Sequence, residues 1–125
     1  LDLERLAVGD SLHMHLRTEL EANNVLYASH AKCIYDFNRE SSVHSKIKNA
    51  PNTSKARYIT EDVPYLFVPF CELADLCGVD VPIAKALVTI ASYYNDEDYM
   101  KTGRTLAKMG LNHWTKQEIL AFLES

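Results

Sequence analysis

The chain has 125 residues, 47% apolar and 24% charged, the size and balance of one globular domain with a single core. Its formal net charge of −4 argues against a broad basic surface for nucleic acid or anionic lipid, because such surfaces need clustered Lys and Arg. Polar or charged residues interrupt every hydrophobic stretch well before the roughly 18 to 20 residues that cross a bilayer, so neither a nucleic-acid nor a membrane partner is expected.

Leu3-Glu4-Arg5-Leu6-Ala7 opens a helical pattern that Gly9-Asp10-Ser11 weakens, and Thr18-x-x-Glu21 is a capping box for a second helix. The spacing predicts helices over 2–13 and 18–38, the second burying Leu20, Tyr27, Ala31, Ile34 and Phe37 on one face. Residues 40–56, with Ser41-Ser42, Pro51-Asn52-Thr53-Ser54 and scattered basic and His positions, show little apolar period. They predict a long loop, and loops of that length are more often functional or mobile than idle.

Thr60 is placed to cap a helix with Glu61 and Asp62 in its first turn and Pro64 where no amide partner is lost. Pro69 should kink or split that helix, and Gly78 should end it. A further helix from Pro82 places Ile83, Leu87, Ile90, Ala91 and Tyr94 on one face for burial near the domain centre. Tyr99 to Leu111 predicts a short helical stretch stopping at Gly110, and Thr115-x-x-Glu118 is a second capping box for a closing helix. No repeat, heptad run or convincing strand is present, so the expected fold class is all-α, an irregular multi-helix assembly.

Cys33, Cys71 and Cys77 are odd in number and form no Cys-x-x-Cys pair, which indicates neither a disulfide framework nor a zinc ribbon. They are expected to be small buried hydrophobes on helices, in a reducing cytoplasm. The N-terminus lacks the basic region and cleavage site of a signal peptide and opens in mid-pattern without methionine; the expectation is a domain without its N-terminal start.

His13 and His15, two apart, cannot chelate one ion from a helix as an i, i+4 pair can. His30 and His44 have no acidic or Cys neighbour at ligand spacing, and His113 sits in a turn, so no metal site is expected. No glycine-rich dinucleotide loop, Walker lysine or nucleophile elbow occurs, so no cofactor-binding residue is assigned. One cluster remains, Arg57 and Asp62. Arg57 offers a planar five-donor fork for a carboxylate, and an ionised Asp62 could orient a histidine or a cation. The structural alternative is a local salt bridge from Arg57 to Glu61 or Asp62.

The string Arg57-Tyr58-Ile59-Thr60-Glu61-Asp62-Val63-Pro64-Tyr65, with Pro69, Gly78-Val79-x-Val81-Pro82 and Gly103-Arg104-Thr105-Leu106-x-x-Met109-Gly110-Leu111 downstream, resembles the C-terminal helical domain of the octopine/nopaline (opine) dehydrogenase family. Leu1-Asp2-x-Glu4-Arg5-Leu6-Ala7 resembles the same domain's early helix. The likeness is strongest over residues 50–111 and weak through 14–49.

The resemblance implies a helical substrate-binding domain over residues 1–125, of the type also seen at the C-terminus of 6-phosphogluconate dehydrogenase, working with an N-terminal Rossmann domain that lies outside this chain. It implies an oxidoreductase acting on CH-NH donors, which uses NAD or NADP to join an amino acid to an α-keto acid. It places the substrate-carboxylate arginine on Arg57 and the acid of a catalytic His-Asp pair on Asp62. The family's catalytic histidine has no counterpart here, so the chain by itself is expected to be inactive. A homodimer is a further possibility the family raises. Two other readings remain: the helical domain of a two-domain dehydrogenase acting on a hydroxy acid or polyol phosphate, and a non-catalytic interaction module using Tyr93, Tyr94, Tyr99 and Trp114.

Overall fold

The computed structural model describes residues 1–47 and 49–125; Lys48, in the expected long loop, lies outside them. Among the described residues the regular structure is helical, without strands, so the all-α expectation holds. Helix α1 runs Asp2–Ser11, continuing through Gly9, whose missing side chain leaves room for Leu16.

The single helix expected over 18–38 is two, α2 (Glu19–Leu26) and α3 (Ile34–Glu40). The cause is Asn24. Its side-chain oxygen accepts from the Ala31 amide and Ser29 hydroxyl while its amide donates to the Ala31 carbonyl. A short polar side chain thereby replaces helical backbone partners, and Ala28 turns the chain at φ 49°. Of the expected apolar stripe only Phe37 is fully buried, in a small aromatic cluster with Tyr27 and His44. Among its described residues, the loop that follows is irregular apart from a 3₁₀ turn at His44–Lys46.

The segment from Arg57 to Gly78 departs from the expected cap at Thr60. Helix α4 starts one turn early, at Arg57–Thr60, and the Thr60 hydroxyl bonds back to the Ala56 carbonyl as a mid-helix threonine does. Glu61 and Asp62 therefore lie within a helical run and not at its positive end. Next comes a π turn, Val63–Phe67, and then α5, Val68–Cys77. Two prolines five apart explain the π turn. The Val68 amide donates to Val63 and not to Pro64, and Pro69 has no amide to offer. The Pro64 carbonyl is thereby released from the helix, and the Arg104 amide takes it at 2.8 Å. Gly78, at φ 71°, ends α5 with Val79 N–H returning to the Ala74 carbonyl at 2.9 Å.

Helix α6 (Pro82–Asn95) lacks a side-chain cap of its own. Glu4 of α1 supplies one, accepting from Ile83 at 2.7 Å and Ala84 at 3.0 Å. Its buried face is Ala84, Val88 and Ala91. The expected burial of Ile83, Leu87, Ile90 and Tyr94 is corrected: all four are exposed. Small residues let α6 approach the π turn closely, so the bulkier stripe is turned outward.

The stretch from Tyr99 is helical only as far as Thr102 (α7), then passes through turns to Gly110 at φ 78°. Helix α8 (Lys116–Leu123) closes the chain, and both capping boxes are present. The core gathers Val8, Leu12, Val63, Val68, Cys71, Ala74, Val81, Ala84, Val88, Tyr99 and Ile119. Cys71 fits the expected buried role, whereas Cys77 is half-buried and Cys33 is exposed, its sulfur capping α3.

A Cβ on Gly103 would stand 2.7 Å from the Pro64 and Tyr99 carbonyl oxygens. Gly103→Ala should therefore cost about 1–3 kcal/mol in urea unfolding, whereas Gly78→Ala, with open space around it, should cost only the roughly 1 kcal/mol of its left-handed backbone. In the capping boxes, the Thr18 and Thr115 amides hold the Glu21 and Glu118 carboxyls below their ordinary range. Folded values below unfolded ones mean a contribution present above about pH 4.3 and lost as pH falls through the folded values. Thermal midpoints followed by circular dichroism from about pH 5 to about pH 3 should fall less steeply in a Glu21→Gln, Glu118→Gln double variant than in the parent.

Candidate substrate site

Arg57 begins α4 where the long loop ends, and its Nε donates to Glu61 Oε2 at 2.9 Å. The pair is open to water, with side chains 80% and 54% exposed, so it is the local i, i+4 bridge that helix geometry favours. Glu61 engages only the Nε edge of the guanidinium. Among the described residues no partner is recorded for the terminal nitrogens, the pair that suits bidentate carboxylate binding.

Asp62 is exposed, and its carboxylate makes no hydrogen bond to another described side chain. It lines a cavity of about 580 Å³ built from three parts of the chain. Tyr58, Ile59, Val63 and Phe67 come from α4 and the π turn, Leu87, Ile90, Ala91 and Tyr94 from α6, and Pro51–Ser54 from the long loop. That last wall is anchored, because the Asn95 side-chain amide donates to the Ser54 carbonyl at 3.1 Å and to the Tyr99 hydroxyl at 3.0 Å. Arg57 lies just before this wall on the same helical run and is not part of it. The structure thus sets Asp62 in a concave site without pairing it to Arg57, and none of the histidines lines the cavity.

The cavity walls from α6 were missed from sequence because their apolar spacing was assigned to the core. The available signal was a second, small-residue stripe, Ala84, Val88 and Ala91, on the same helix.

The Gly103-Arg104-Thr105-Leu106 string, far from Asp62 in sequence, is joined to the same helical run. Besides the Arg104 amide on Pro64, the Leu106 amide donates to the Glu72 carboxylate. The Lys108 ammonium holds the carbonyls of Lys101, Thr102 and Gly103. The Arg104 guanidinium lies 5.6 Å from the Tyr65 ring centroid. Among the described residues Arg104 forms no salt bridge; this ring contact and the backbone tie hold it in place. Of the aromatics considered for a partner surface, Tyr93 and Tyr94 are exposed, Tyr99 is buried, and Trp114 packs edge-on against Phe122.

The sequence profile of the NAD/NADP octopine/nopaline dehydrogenase alpha-helical domain matches residues 1–95. The chain belongs to this family. Among relatives of this octopine/nopaline dehydrogenase domain, Protein ocs of Agrobacterium vitis is 33% identical over 111 residues, covering 89% of the chain and 31% of the relative. Vitopine synthase of Allorhizobium ampelinum is 32% identical over 111 residues, with coverage of 89% and 31%. An opine dehydrogenase of Arthrobacter is 29% identical over 124 residues, covering 99% of the chain and 34% of the relative. The chain therefore spans about a third of the length of these curated relatives. The octopine/nopaline profile takes in Arg57, Asp62 and the α6 wall, and ends before the Gly103 string.

Because the Arg57–Glu61 pair is exposed, Glu61→Gln should change stability by less than about 0.5 kcal/mol. Chemical denaturation checks this, and a larger loss would show that the pair holds the loop-to-helix junction.

Proposed function

We propose that this chain is the substrate-binding domain of an NAD(P)H-dependent opine-type dehydrogenase, an oxidoreductase of the CH-NH class that joins an amino acid to an α-keto acid. The observation that carries the reading is Asp62 in the wall of an open cavity, five residues after an arginine whose terminal guanidinium nitrogens are unengaged among the described residues. In this reading residues 1–125 form one helical domain of the 6-phosphogluconate dehydrogenase C-terminal type, acting beside an N-terminal Rossmann domain in a cytoplasmic protein, with a homodimer as a possible assembly.

A dinucleotide's pyrophosphate is typically held at a glycine-rich strand-to-helix turn. The described residues contain no strand to build one, so NAD or NADP would be held by the other domain and would supply the reducing equivalents there. The present residues have two tasks. Arg57 grips a substrate carboxylate through its terminal nitrogens and so fixes the reacting carbon, which is catalysis by positioning. Asp62 accepts a hydrogen bond from a histidine outside this chain, fixing its tautomer and stabilising its charged form while it moves protons at the amine. A phosphate-bearing substrate would call for several cations converging on the site, and no Lys or Arg among the described residues lines the cavity.

The test uses the complete protein that carries this chain. NAD(P)H oxidation should require both an α-keto acid such as pyruvate and an amino acid. Asp62→Asn and Arg57→Ala should each lower kcat/KM by about 10² or more, and the 125 residues alone should show no turnover. Oxidation that proceeds without an amino acid would overturn the reading.

A further inference from the structure

The walls of the Asp62 cavity carry information about one substrate beyond its reaction class. Resting on the opine-type reading above, we propose that the amino acid donor has an apolar side chain, of leucine to phenylalanine size, seated against Phe67, Leu87, Ile90 and Tyr94.

Among the described residues Asp62 is the one charged group in the cavity's lining, and the remainder of that lining is apolar, aromatic or neutral. In the opine-type reading that carboxylate already serves the catalytic histidine. A guanidinium, ammonium or second carboxylate entering from the substrate would then lack a partner of opposite charge in the described lining. Unpaired charge placed against apolar walls is strongly disfavoured, whereas an aliphatic or aromatic group gains by leaving water there.

The fold independently leaves these wall residues uncovered. Helix α6 spends its small residues on the core and turns its large ones out, with Leu87 39% and Ile90 54% exposed. Exposed branched side chains lining a concavity are what an apolar ligand group covers. The loop wall opposite is held in place by the Asn95 bond to Ser54, so the cavity does not have to be ordered by the ligand. Its volume of about 580 Å³ is in the range of small-molecule sites, about 300–1,000 Å³.

The measurement is kcat/KM of the complete protein with NAD(P)H and pyruvate, for leucine and phenylalanine against arginine, lysine and glutamate. Apolar donors should exceed charged ones by about 10-fold or more. Ile90→Asp, outside the buried core, should narrow or invert the leucine-to-arginine ratio by about 10-fold while leaving the KM for pyruvate unchanged. A parent enzyme that prefers arginine or lysine would overturn this inference and leave the opine-type reading standing. So would an Ile90→Asp variant that depresses every donor equally. Absence of amino-acid-dependent oxidation with all five donors would instead overturn the opine-type reading, and the inference with it.

Discussion

The architecture turns on a backbone carbonyl that its own helix cannot satisfy. Pro64 and Pro69, five residues apart, force one π turn into the run from Arg57 to Cys77 and leave the Pro64 oxygen without an intrahelical amide. A buried carbonyl without a partner is costly, so the chain some forty residues later is drawn in to supply the Arg104 amide. Only glycine fits at position 103, because any Cβ there would strike the carbonyl being bonded. Glu72 and Lys108 complete the junction by taking the Leu106 amide and three carbonyls of residues 101–103.

That junction holds the floor on which the candidate site is built. The π turn packs against α5, α6 and α7, so its position sets where Asp62 and Phe67 stand relative to α6. Helix α6 is located from its other end by Glu4, whose carboxylate reaches across from the first helix to cap it. Asn95, at the far end of α6, holds the loop wall. Three polar anchors therefore define an apolar cavity, an arrangement in which a directional bond fixes geometry and the nonpolar walls are left for a ligand.

The family relationship and the local geometry account for different parts of the motif strings. Arg57 and Asp62 stand at or beside the cavity and are open to solvent, with no core role that would require an arginine or an aspartate there. Pro64, Pro69, Gly103 and Arg104 are explained by one junction of backbone bonds and close approach. A string can thus resemble a catalytic family through residues many of which are structural.

Much was legible in the linear order of residues: the helical class, both capping boxes, the Gly78 stop, the disturbance at Pro69 and the long loop. These depend on contacts within four or five residues, where side-chain chemistry and backbone geometry are sufficient. What only the tertiary structure decided depended on choices among distant partners. The break at Asn24 needed a polar side chain to prefer Ala31 and Ser29 over its own helix. The exposed face of α6 needed the choice between two apolar stripes on one helix, which periodicity cannot make. Close packing against the π turn selected the small stripe for the core, and the large one became the wall of the site.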